Sequence, residues 1–151
     1  MKRLLPLLLL ALAAAGCATG AAQRDAERLA LYRAHAGAPV DSIRYFGRLD
    51  GWTPLGDDAL ALWTRPNEAW LVELQGGCPD LPYAYGITVS QQLSRIHARF
   101  DRIHVVAPSP TMRIPCFIRE IRPLDVKALR AAERERRKAE AAERAQASGG
   151  T

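Results

Sequence analysis

The sequence predicts a mainly β domain with flanking helices: a small antiparallel β-sandwich or partly open barrel, with a long solvent-exposed C-terminal helix. Three observations predict it. Short runs rich in strand formers, "SIRYF" (Ser42–Phe46) and "IHVV" (Ile103–Val106), are bounded by turn chemistry. "ALALWTRPNEAWLVEL" (Ala59–Leu74) sets two apolar runs around Thr-Arg-Pro-Asn-Glu, a hairpin signal in which proline presets φ and asparagine tolerates left-handed geometry. "VKALRAAERERRKAEAAERAQ" (Val126–Gln146) has helical composition, with Val126 and Leu129 as its only large apolar residues, so it can bury little.

At the N-terminus, Met1-Lys2-Arg3 is a positive head and Leu4–Ala15 is apolar, broken by Pro6. That run is too short to cross the ~30 Å of bilayer hydrocarbon, which needs ~20 apolar residues. Its plan is that of a secretory signal peptide over residues 1–16. "Ala14-Ala15-Gly16-Cys17" resembles the lipobox of bacterial lipoproteins. The resemblance implies cleavage before Cys17, a thioether-linked diacylglycerol on its sulfur and an acylated amino group. Two or three acyl chains anchor firmly where one does not. Ala18, rather than Asp, follows the cysteine, which by resemblance to Gram-negative sorting rules implies the outer membrane; the domain is expected to face the periplasm. The alternative is an ordinary signal peptide with an incidental cysteine.

The chain has 151 residues and a net charge of +5; loss of Lys2 and Arg3 with the leader leaves +3. This is one domain's length, and too mildly basic to argue for nucleic acid. Cys78 and Cys116 then remain as an even pair, which outside the cytoplasm reads as a disulfide. A metal site or a reactive thiol is the alternative, though there is no C-x-x-C and no Cys/His cluster at ligand spacing.

Taken in order, residues 17–39 hold the anchor and a short helix, Ala22–His35, ended by Gly37 and Pro39 and read as a stalk or an edge-packing helix. Residues 40–124 form the β-rich domain. "LDGWTPLGDD" (Leu49–Asp58) has turn chemistry on both sides of Trp52. Gly76–Gly86 is a loop. Gln92–Val106 fits both helical and strand spacing, and its β-rich surroundings favour two strands joined near Asp101. Ile114–Pro123 alternates as a strand, with Cys116, Ile118 and Glu120 set against Phe117, Arg119 and Ile121. Residues 125–151 are a charged helix and a disordered tail. Asp125 is the N-cap, and Glu133–Arg137 and Glu140–Arg144 are supporting i,i+4 pairs.

Candidate chemistry is sparse. His97 and His104 flank Asp101 and would approach each other across a hairpin, as a general acid/base pair or a two-histidine metal site; the plainer reading is two histidines on a strand surface. Arg95, His97 and Arg99, with Arg102 nearby, form a basic stripe able to meet a phosphate or carboxylate, or simply a solvated strand face. Asp57 and Asp58 read as a turn. No serine lies in a nucleophile motif and no glycine loop resembles a phosphate cradle, so no catalytic residue, metal ligand or cofactor is assigned. Trp52, Trp63 and Trp70 are a sugar-stacking platform or ordinary sheet packing.

The combination of "RYFGRLDGWTPLGDDALALWTRPNEAWLVEL", "CPDL" and "ARFDRI…CFIREIRPLDVKALR" resembles an uncharacterised family of small Gram-negative lipoproteins with one domain of unknown function. That resemblance implies a signal or lipobox, a compact β-rich domain and cysteines where Cys78 and Cys116 stand, and it brings no activity. The expected function is a non-catalytic envelope lipoprotein module. Its membrane contact is the N-terminal lipid, and its partner is an envelope protein or an anionic lipid head group. The alternative is a small periplasmic hydrolase or metal-dependent enzyme using His97, His104 and Asp101.

Overall fold

The computed structural model describes residues 16–107 and 114–148. The expected signal peptide, apart from Gly16, and the last residues of the expected tail, 149–151, lie outside the described residues. The elements run α1 (Gly16–Ala34), β1 (Ser42–Arg44), β2 (Gly51–Pro54), β3 (Ala59–Arg65), β4 (Glu68–Gln75), a 3-10 turn (Leu81–Tyr83), β5 (Gly86–Val89), β6 (Arg95–His97), β7 (Arg102–Val106), β8 (Cys116–Pro123) and α2 (Val126–Ser148). Six strands form one antiparallel sheet in the order β2-β3-β4-β8-β7-β5, which curls into a half-barrel. β1 and β6 form a separate two-stranded sheet.

Alternation along the central hairpin builds a core on each face of the sheet. On the inner face, Leu60 and Leu62 of β3 and Val72 and Leu74 of β4 meet Ile103, Ile118 and Ile121. Ile43 and Ile96, cross-strand partners in the β1–β6 sheet, pack into the same cluster. On the outer face stand Ala59, Ala61, Ala69 and Leu71. Three alanines leave the sheet thin there, and the helices fill the space with Leu29 and Tyr32 of α1 and Val126 and Leu129 of α2. Burial on both faces explains why the hairpin reads as near-continuous apolar runs.

α1 starts earlier than the composition predicts, so that Cys17 lies in its first turn, and it packs on the sheet rather than standing off it. Arg33 reaches from it to Glu73 of β4, Nε to Oε1 at 2.7 Å. Past the helix, Val40 N donates to Ile121 O and Gly37 N to Pro123 O, each at 2.8 Å, which stitches residues 36–40 along β8.

Two strands are added and two local readings differ. Trp52 lies within a strand, β2, paired with Leu62. β5 follows directly from the Gly76–Gly86 loop. β6 and β7 are both strands, but they do not form a hairpin: β6 pairs with β1, and β7 with β5 and β8. In β8 the simple alternation breaks at a bulge. Glu73 pairs with Glu120 but Leu74 pairs with Ile118, so Arg119 is the extra residue. The bulge turns Ile121 to the inner face beside Cys116 and Ile118.

Cys78 and Cys116 form a disulfide, with Cα atoms 5.7 Å apart, tying the loop after β4 to the start of β8. Gly76 and Gly77, both at left-handed φ (78° and 75°), make the tight exit from β4 that delivers Cys78. Asp125 caps α2, its Oδ1 accepting from Ala128 N at 2.9 Å. Among the described residues no helix is long and apolar enough to cross a membrane.

Candidate functional site: an arginine-lined cleft

A cleft of about 640 Å³ opens between the β1–β6 sheet and the tip of the β3–β4 hairpin. Arg44, Arg48, Arg65 and Arg95 line it, with Phe46 and Trp70 as its aromatic walls. The two-stranded sheet creates this concentration of charge. Ile43 and Ile96 are paired and buried, so their neighbours Arg44 and Arg95, also direct cross-strand partners, both turn away from the core. Like charges placed opposite each other on neighbouring strands are destabilising.

The cleft's own groups compensate that charge only in part. Arg95 donates to the neutral Ser42 hydroxyl from Nε at 3.0 Å and from Nη2 at 2.7 Å. Arg65 is offset by Glu68 at 3.6 Å, and Glu68 also accepts from the Thr64 hydroxyl. Thr64 Oγ1 in turn accepts from Trp70 Nε1 at 3.1 Å, which fixes that indole as a wall. Among the described residues no carboxylate pairs with Arg44, Arg48 or Arg95. Asp50, at the rim, is the one further acid of the lining, so the cleft stays cationic.

The residues of the expected basic stripe separate. Arg95 lines the cleft, whereas Arg99 lies beyond the end of β6 at left-handed φ (66°) and pairs with Asp41 at 3.0 Å. Arg102 opens β7 and stacks over Phe117, 5.1 Å from the ring centroid. His97 and Asp101 come together: Asp101 Oδ2 accepts from His97 N at 2.7 Å and lies 3.2 Å from His97 Nδ1. Asp101 is only 4% exposed, and its Oδ1 accepts from Ser90 Oγ at 2.6 Å. Ser90 Oγ accepts in turn from Arg102 N at 3.0 Å. Here the carboxylate lies between serine and histidine and ties down the turn from β6 to β7, whereas nucleophile activation needs the imidazole between hydroxyl and carboxylate. His104 stands on β7 opposite Thr88 of β5, exposed and on the other face from buried Ile103. Among the described residues no three His, Cys, Asp or Glu side chains are grouped to hold a metal ion.

The tryptophans divide as well. Trp63 faces the helices and donates to Thr53 Oγ1 at 3.1 Å, while Arg130 of α2 stacks on its ring. Trp70 and Trp52 face the inner side, each paired with Leu62 from one flank. Asp57 and Asp58 serve the β2–β3 turn through their backbone, accepting from Cys78 N and Leu74 N. Burial first, and then the charges of Asp58 and Asp25, push the Asp57 carboxyl above its usual value.

Residues 1–140 match a family of unknown function, DUF6491. The chain belongs to the DUF6491 family. No curated protein and no solved structure matches it. The cleft of this DUF6491 chain joins one arginine from the expected stripe with one tryptophan from the expected platform. Arg44, Arg48 and Arg65 were missed because they lie far from Arg95 in sequence, and only the β1–β6 pairing and the hairpin tip bring them together.

Proposed function

We propose that this protein is a non-catalytic lipoprotein of the Gram-negative cell envelope, anchored through Cys17, whose domain binds an acidic ligand in the arginine-lined cleft. The observation that carries the reading is the Arg44–Arg95 cross-strand pair with Arg48 beside it. Arg44 and Arg95 line one opening with no carboxylate partner, where a bound phosphate or carboxylate would accept from both and relieve their repulsion. The lipobox-like "Ala14-Ala15-Gly16-Cys17" supports the anchor, and Ala18 supports the outer membrane.

The test is calorimetric titration with inositol hexaphosphate as a polyanionic probe. Arg44→Ala or Arg48→Ala is expected to lower affinity about tenfold, as loss of one charge-assisted contact does, and Arg99→Ala, outside the cleft lining and paired with Asp41, to leave it unchanged. An Arg99→Ala loss equal to that of Arg44→Ala would move the site away from the cleft. The anchor has its own readout. Intact mass of the membrane-extracted protein should equal Cys17–Thr151 plus acyl chains, and an unmodified mass would remove the lipid.

A further inference from the structure

Beside the cleft, Leu93 and Ser94 are the central residues of a two-residue turn. Gln92 N donates to Arg95 O at 2.9 Å and Arg95 N to Gln92 O at 3.0 Å. Both central residues are left-handed, at φ 51° and 58°. Turns of this kind favour Asn-Gly, because a residue with a larger side chain is strained there. Leu93 is nevertheless a leucine, and it is 97% exposed. It is unfavourable twice over, in backbone strain and in apolar surface held in water. Tyr45 N donates to Ser94 O at 2.8 Å, which places Phe46, itself 73% exposed, alongside the turn. Phe46 lines the cleft with Arg44, Arg48 and Arg95, and Arg95, the residue that closes the turn, is the cross-strand partner of Arg44.

We propose that this tip docks on an anionic lipid bilayer: Leu93 and Phe46 enter the acyl boundary while the cleft arginines take the phosphates of the lipid head groups. The inference rests on the reading of the cleft as an acidic-ligand site and names that ligand. Apolar side chains ringed by cations match the layered chemistry of an anionic interface, where each basic residue near the surface adds attraction. Two protruding side chains are too little for a stable protein interface, which buries about 1,200–2,000 Å² in total. They suffice to deepen a contact that electrostatics has already made.

The experiment is vesicle flotation of the full chain carrying Cys17→Ser, so that no acyl group contributes. A second series that starts at residue 17 removes the apolar run Leu4–Ala15, which would itself bind vesicles. Vesicles are phosphatidylcholine alone or phosphatidylcholine with phosphatidylglycerol. Binding is expected to favour the anionic vesicles and to weaken with salt. Leu93→Asn should lower the partition about tenfold, with a melting temperature equal to or above that of the parent, since asparagine accepts the left-handed turn, and with unchanged affinity for inositol hexaphosphate. Arg44→Ala should weaken both vesicle and hexaphosphate binding. Equal binding to the two vesicle types, or parental partition of Leu93→Asn, overturns the proposal. Hexaphosphate binding without vesicle binding overturns it while leaving the cleft reading intact; absence of both removes the two together.

Discussion

Glu73 is the clearest single-residue determinant of stability. It is 7% exposed, on the helix side of β4. Burial alone would raise its pKa, but hydrogen bonds from Arg33 and Arg119, and their charges, outweigh this and hold the carboxyl below its ordinary 4.5. A depressed folded-state pKa means that its contribution is fully present above pH 4.5 and is lost as pH falls through the lower folded value. Glu73→Gln is therefore expected to cost about 1–2 kcal/mol at neutral pH. In urea melts across the acid range the difference from the parent should shrink as pH drops below 4.5. A constant difference would contradict the mechanism. Residues of this kind were hard to read in the sequence, because Arg33, Glu73 and Arg119 share no local pattern. Asp125 was legible as a cap, since its role depends on the next three residues alone.

Among the elements, α2 has two distinct parts. Its first turns are bound: Leu129 is fully buried, Arg130 donates to Asn67 Oδ1 and Pro66 O, and Glu133 accepts from the Tyr32 hydroxyl at 2.9 Å. Burial, followed by that bond to Glu133, pushes the Tyr32 hydroxyl up to about 12. The expected Glu133–Arg137 pair is thus replaced by a contact between helices, whereas Glu140 does meet Arg144 at 4.0 Å. From position 141 to 148 every residue is exposed. Leu129→Ala is expected to cost about 3 kcal/mol, while a stop after Glu140 should shift stability by less than about 0.5 kcal/mol; thermal melts of the two variants check both. An equal loss from the truncation would show the distal arm to be docked. The solvent-exposed arm was legible because its composition lacks large apolar residues. The Leu93–Ser94 turn was not, since leucine is foreign to a left-handed turn position; β6 and β7 read as one hairpin because they are neighbours in sequence around Asp101, whereas their partners β1 and β8 are distant.

At the scale of the molecule, the disulfide is the covalent link between the early and late parts of the chain. Its half-cystines are 38 residues apart. Closing a loop of that size stabilises by about 4 kcal/mol in the chain-entropy picture. Paired Cys78→Ala and Cys116→Ala substitution should lower the urea midpoint accordingly, and an unchanged midpoint would show the staple to be dispensable. Fold class, hairpin and staple were legible because each has a short-range or compositional signature. The sheet order was not, since it depends on which distant strands meet, and the cleft is a product of that order.

The place of β8 in that order has a temporal consequence. It lies between β4 and β7 in the sheet, takes residues 36–40 along the same flank as β7, and receives the disulfide. Yet it is the last strand the ribosome makes. Until Cys116–Pro123 is available, β4 and β7 each hold an open hydrogen-bonding edge, a hazard for mispairing between nascent chains. The core can close only when synthesis is nearly over, and its distant pairings make the closing step slow. A chain built this way can pair β2, β3 and β4 early, but its core waits for the final strand.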